Sequence, residues 1–301
     1  MLKINFVDFW PNFHKTDNYF YHLLSTKHSV SIDESHPDLI FCSCYGNDKK
    51  HYENRAKIIF FSGENRDNHS HYNDKWTAPD INYDLTLTQS VDYNTNVNLP
   101  LFVLFLNWFN IATIDNRDIS HHIDIDSLIN PRLNIDDIIA KKTKLCSFIV
   151  GNPNSKFRIE YCKQLQEAFH VDCPGKVLNN MQPIPGRGDT KHKVDFLIDY
   201  KFNIAFENSI NPGYITEKIL HPLAAWCIPI YHGSDCINDY FNKDAFINSS
   251  LYSINEIVTK IQMLNNDKDA FIHMISLPKL LPLAVEKYSP SKVLSIIEKI
   301  L

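Results

Sequence analysis

Apolar and polar positions along the chain follow two periods. Residues 3–9 (KINFVDF) alternate and stop at Trp10-Pro11, as a first strand should. Residues 38–42 (DLIFC) and 57–61 (KIIFF) are short apolar runs, the pattern of parallel strands covered on both faces. Residues 28–32 and 83–88 are further strand candidates; 17–25 predict a short helix, and 99–109 a buried, irregular one. In the second half, 146–150 (CSFIV), 202–206 and 228–231 read as strands, and 171–178 carries the Pro174-Gly175 turn. Phe157, Tyr161, Leu165 and Phe169 recur every four residues, which predicts a helix over 155–169 with that face inward. Residues 136–144, 193–200, 253–264 and 289–301 predict further helices. Strands alternating with helices imply α/β domains with largely parallel sheets. At 301 residues the chain suits two of them. The expected division is 1–140 and 141–301, with the polar, turn-rich stretch 112–137 as the connection.

Composition narrows the class. Hydrophobic residues make up 44% of the chain and aromatic ones 12%, enough for two cores. Thirty basic residues against 35 acidic give a net charge of -5, so a nucleic-acid partner is not expected and any anion site must be local. Seven cysteines, an odd number, point to a reducing compartment, here the cytoplasm. The Cys42-x-Cys44 pair lacks a second pair to complete a zinc set. The start, MLKINFVDFW, has no signal-peptide core, and the longest apolar run, 99–109, is short of the ~20 residues that span a bilayer. The expectation is therefore a soluble protein without an integral membrane segment, with peripheral attachment to a membrane left open.

Chemistry gathers in residues 202–218, FNIAFENSINPGYITEK. Glu207, Asn208 and Ser209 follow a buried strand, where open α/β sheets bind ligands. Asn211 can cap a helix with Pro212 at its first position, which sets Tyr214, Glu217 and Lys218 on one face. A helix N-terminus with a lysine suits phosphate. An aromatic, a carboxylate and an ammonium together suit a nucleoside diphosphate. Ser62-Gly63-Glu64-Asn65 repeats the theme after the 57–61 strand.

FENS followed by YITEKI resembles the donor-binding signature of the alpha-1,3/4-fucosyltransferase family, in its soluble bacterial type. IPIYHG (228–233) and DAFIN (244–248) are similar to the segments downstream of that signature, and FFSGEN (60–65) to the family's proposed base motif. In the first domain the likeness rests on FFSGEN and the spacing to LPLF at 99–102; the first 50 residues carry none. The resemblance implies the glycosyltransferase B architecture, two Rossmann-like domains facing a cleft. The first domain would bind the acceptor and the second GDP-fucose. It implies inverting transfer of L-fucose to a glycan hydroxyl, O3 of N-acetylglucosamine being the expected one. Glu64 would be the base and Lys218 the charge on the leaving diphosphate. Tyr214, Glu217, Glu207 and Asn208 would border the donor. A family arginine on the diphosphate falls at Lys176, where lysine loses bidentate geometry; Arg187, between glycines, is the alternative cation. Arg158, in a family-like NPN-x-x-x-R pattern, reads as structural. Asn65, His69, His71 and Trp76 are expected on the acceptor side.

Asp124-Ile125-Asp126 matches the metal motif of another glycosyltransferase fold but lies in the polar connection, and His121-His122 has no acidic set beside it. No metal is expected to be required, though a divalent cation could stimulate by aiding GDP release. The expected molecule is a monomer, since no heptad repeats are seen. Two other readings stay open: transfer from a different nucleotide sugar, and a binding module that holds GDP or a glycan without turnover.

Overall fold

The apolar runs become two all-parallel sheets in the computed structural model, which describes residues 1–65, 82–90, 96–110, 123–132, 134–184 and 190–301. The first holds β1 (Leu2–Val7), β2 (Val30–Ile32), β3 (Leu39–Cys42), β4 (Lys57–Ser62), β5 (Leu85–Thr88) and β6 (Asn96–Asn98), in the order β2-β1-β3-β4-β5-β6. The second holds β7 (Lys144–Ser147), β8 (Val171–Asp172), β9 (Tyr200–Phe206), β10 (Ile228–His232) and β11 (Ile247–Asn248), in the order β11-β10-β9-β7-β8. Ile204 pairs with Ile230 and Phe206 with His232, so β9 and β10 end level. Each sheet is doubly wound, with strand order reversing once, between β1 and β3 and between β7 and β9. Loops leaving those paired strands splay apart and open a crevice at their carboxyl ends.

Three expectations change. The helix Lys156–Gln166 turns Arg158, Cys162 and Leu165 inward and leaves Phe157 54% exposed. The four-residue aromatic spacing misplaced the face because a guanidinium takes the inward place. The run at 99–109 forms only a 3-10 turn, Leu101–Phe105, after Pro100. The end of the chain crosses back: Val293, Leu294 and Ile297 of the helix Pro290–Ile297 share one core with Phe20 and Leu23 of the helix Tyr19–Ser25 and with Phe41 of β3. Lys27 and His28 meet Glu298 at 2.7 and 3.1 Å. The helix Pro290–Ile297 therefore packs on the first half's helix Tyr19–Ser25, whose outer apolar face it covers, while Pro282–Lys287 lies beside Ile237–Tyr240 of the second half.

The halves are also tied directly. Asn98 Oδ1 accepts from Tyr240 Oη at 3.1 Å, Tyr288 Oη at 2.5 Å and Lys287 Nζ at 3.2 Å. Gly213, with φ +80°, lies so close to Gln89 that a Cβ would sit 2.0 Å from its carbonyl oxygen. Only glycine fits there, on both counts.

Candidate active site

β9 ends in Phe206, and the next side chain, Glu207, turns into the protein. Its carboxylate accepts from Thr216 N and Thr216 Oγ1, both at 2.8 Å, and lies 3.2 Å from Lys218 Nζ. Thr216 caps the helix Glu217–Ala224, its hydroxyl accepting from Lys218 N at 3.4 Å and Lys218 Nζ at 2.9 Å. The helix thus starts five residues later than Asn211-Pro212 suggested. The delay follows from Gly213, whose positive φ breaks helical continuation, and from Asn211, whose amide donates to Asn65 Oδ1. Tyr214 is consequently a buried loop residue and not a first-turn partner of Lys218.

Burial opposes the charge on Lys218, but Glu217 at 3.6 Å and Glu207 more than offset it and raise its pKa above the usual lysine range. Burial raises the Glu207 carboxyl, with Lys218 opposing. At Glu217 the burial penalty is overcome by Lys218, Lys193 and His221, which bring its pKa down to about 2. An ammonium held between two carboxylates at a helix start is a fixed positive charge, ready for an anion that can displace part of that pairing.

The second cation is Arg158. Its Nη1 donates to Asn208 Oδ1 at 2.5 Å and its Nη2 to Asn152 O at 2.8 Å. Asn152 follows β7 and Asn208 follows β9, so the guanidinium bridges the two loops of the switch-point crevice. It is 3% exposed, and its Nε–H has no hydrogen-bond partner among the described residues. Burial lowers its pKa while Glu207, Tyr214 and Glu217 hold the charge. Arg158 thus ties two loops together, as its motif suggests, and also keeps one donor unspent beside the crevice, while Lys176, one of the two cations expected on the diphosphate, stands exposed in the turn after β8. Phe157 beside it packs against His232, ring centroids 4.6 Å apart and planes tilted by 33°, and offers an exposed ring at the rim.

Across from these, the first sheet presents Glu64. Gly63 packs against Leu101, where a Cβ would meet Leu101 Cδ1 at 2.6 Å, and Glu64 N donates to Ser62 Oγ at 3.1 Å. Tyr45 Oη donates to Glu64 Oε1 at 2.7 Å. Glu64, Tyr45, Ser43 and Trp10 of the first half and Lys193 and Glu217 of the second line one cavity of about 360 Å³ between the sheets. Lys193 was not singled out from the sequence; it belongs to the helix Thr190–Leu197. Asn65, expected to touch an acceptor, is buried instead, donating to Ser209 Oγ and accepting from Asn211 Nδ2, so it joins the halves. His69, His71, Trp76, Arg187 and His121-His122 lie outside the described residues. Asp124 caps the helix Ile125–Ile129, accepting from Asp126 N at 3.3 Å and Ser127 N at 3.0 Å.

Two doubly wound parallel sheets with charged loops facing across a cleft define the glycosyltransferase B architecture. Residues 139–278 match the carboxyl-terminal domain of glycosyltransferase family 10 (fucosyltransferase), and residues 4–105 the N-terminal domain of alpha-(1,3)-fucosyltransferase FucT. The chain belongs to this fucosyltransferase family. It is 26% identical over 281 residues to the alpha-(1,3)-fucosyltransferase FucT of Helicobacter pylori, covering 85% of this chain and 55% of that protein. It is 34% identical over 149 residues to the 4-galactosyl-N-acetylglucosaminide 3-alpha-L-fucosyltransferase FUT6 of Homo sapiens, covering 48% of this chain and 38% of that one. The chain thus spans about half or less of the length of these curated relatives. A crystal structure of an alpha1,3-fucosyltransferase with GDP-fucose superposes with a TM-score of 0.71 at 24% identity, covering 99% of this chain and 90% of that one, a likeness of fold.

Proposed function

We propose that the chain transfers L-fucose from GDP-fucose to a hydroxyl of a glycan acceptor with inversion, O3 of N-acetylglucosamine being the first choice. The observation that carries this reading is the pair of supported cations, Lys218 and Arg158, at the second sheet's crevice, with Glu64 on the opposite wall. The names of the relatives and the GDP-fucose held by the structural neighbour favour that donor.

In this reading the donor's diphosphate lies against Lys218, the start of the 217–224 helix and Arg158. Tyr214, Glu217 and Asn208 stand around it. Glu207 does not touch the sugar; it orders Thr216 and Lys218. The acceptor enters from the first half, and its hydroxyl gives its proton to Glu64. The acceptor oxygen bonds to the anomeric carbon as the bond to the β-phosphate oxygen breaks, and the charge left on GDP is met by the two cations. That leaves no step for a metal, so we place catalysis in the metal-independent class. Seven unpaired cysteines, six of them buried, favour a reducing, cytoplasmic setting. We assign a monomer, for which light scattering should return 35.0 kDa and not its double.

GDP release from GDP-fucose, measured with lactosamine-type acceptors and with a panel of GDP- and UDP-sugars as donors, tests the activity. Lys218→Ala should raise the donor KM and lower kcat, and Glu64→Gln should lower kcat by roughly 10²–10⁴-fold. Tight GDP binding without turnover of any donor would make the protein a binding module and overturn the proposal.

A further inference from the structure

The cavity's first-half wall lies at the crevice between β1 and β3. The loop leaving β1 brings Asp8 with φ +60° and then Trp10; the loop leaving β3 brings Ser43 and Tyr45. Asp8 and Lys49 form an ion pair of 3.2 Å with both side chains buried, 2% and 0% exposed. Asp8 also accepts from Asp48 N at 2.8 Å and Lys49 N at 3.0 Å, while Lys49 Nζ donates to Gly46 O at 2.6 Å. The turn 43–49 is therefore closed on itself and fastened to β1. Tyr45 sits inside it, with its own N–H donating to Asp8 O at 2.9 Å. From this fixed place its hydroxyl reaches the next loop and donates to Glu64 Oε1 at 2.7 Å.

A general base works only within hydrogen-bond reach of the proton it takes, and displacements of about 0.5 Å matter. A glutamate has several side-chain torsions and loses substantial rotamer freedom when held. A charge-assisted bond from a rigid phenol removes much of that freedom beforehand. We propose that Tyr45 is a positioning residue for the proton-accepting carboxylate of Glu64, held in turn by the buried Asp8–Lys49 pair. The inference rests on Glu64 being the base.

Tyr45→Phe keeps the ring and removes the oxygen. With kcat read by GDP release, it should cost about ten-fold, the scale of one hydrogen bond to a charged group. GDP affinity should stay unchanged, because Lys218 and Arg158 lie on the other sheet. In a Glu64→Gln background the same substitution should change kcat by less than about two-fold, since a residue that acts through Glu64 has nothing left to act on. An equal ten-fold loss in both backgrounds would mean a role not routed through Glu64 and would overturn the inference. So would a fully active Tyr45→Phe beside an impaired Glu64→Gln. A fully active Glu64→Gln would remove the base itself, and with it both this inference and the reading it deepens.

Discussion

Replacing Glu207 by glutamine separates the two carboxylates of the cleft. Glu207 is wholly buried, and its two oxygens face only donors: Thr216 N and Oγ1 at 2.8 Å and Lys218 Nζ at 3.2 Å. The amide of Glu207→Gln would turn an N–H toward one of these. Breaking a buried pair from one side costs about 3–5 kcal/mol when the stranded charge has no other partner. Lys218 keeps Glu217 at 3.6 Å and is 23% exposed, which brings the expected loss to about 2 kcal/mol. For 301 residues that is a fall in Tm of roughly 3 °C. The loosened Thr216 cap should weaken GDP binding, while removal of a negative charge beside Lys218 works the other way, so the net change should stay within about ten-fold. The assays are scanning calorimetry with and without GDP, titration of GDP, and kcat, set against Glu64→Gln. An unchanged Tm and GDP affinity with a kcat loss of 10²-fold or more, on the scale of general-base removal, would place the proton transfer on Glu207 and refute the division of roles.

Two further outcomes concern neighbouring residues. Burial, then Lys193, brings the pKa of His221 down to about 3, so between roughly pH 6.5 and 3 the unfolded chain binds the extra proton. Stability should fall as pH drops through that window by up to ~1.4 kcal/mol per unit. Glu217 is no confounder above pH 4.5, because its contribution is lost only as pH falls from there through about 2. Urea midpoints from pH 7 to 5 should lose slope in His221→Leu, the remainder including His232, whose pKa burial also lowers, and parallel slopes would refute the assignment. Asp124→Ala should cost about 1 kcal/mol as a lost helix cap and leave transfer intact, in EDTA as in buffer. Complete loss of activity in EDTA, reversed by Mn²⁺, would instead make Asp124 and Asp126 a metal site.

Strands were legible wherever burial on both faces made the run uniformly apolar, as at β3, β4 and β10. β6 was not, because Asn96, Val97 and Asn98 form a strand whose polar ends are buried, Asn96 bonded to Thr88 of the neighbouring strand and Asn98 to Tyr240 of the other half. Sequence periodicity carries no sign for a polar residue paired with a distant one. The same limit explains Asn65 and Arg158. An asparagine after a glycine-bearing loop looks like a ligand contact, and an arginine next to aromatics looks like a surface residue. Their roles depend on Ser209, Asn211, Asn152 and Asn208, which only the tertiary fold brings near. Glu64, Glu207 and Lys218 were found because each follows a strand or opens a helix, so local chain geometry already aims them at the crevice. Tyr45 follows β3 in the same way but carries no charge to set it apart from the chain's other aromatics, and Lys193 lies one turn into a helix among other basic residues.

The return of the last helix to the first half bears on how the chain folds as it is made. Phe20, Leu23 and Phe41 are synthesised early, yet the residues that cover them, Val293, Leu294 and Ile297, emerge some 250 residues later. The second sheet lies between, so it can close while the helix Tyr19–Ser25 still presents an uncovered apolar face. Contacts of such long separation form slowly, and the waiting surface is open to wrong partners. The half that emerges first from the ribosome is the half that finishes last. Until that helix docks, the half that carries Glu64 lacks part of its core, so one wall of the cavity depends on residues made near the end of synthesis.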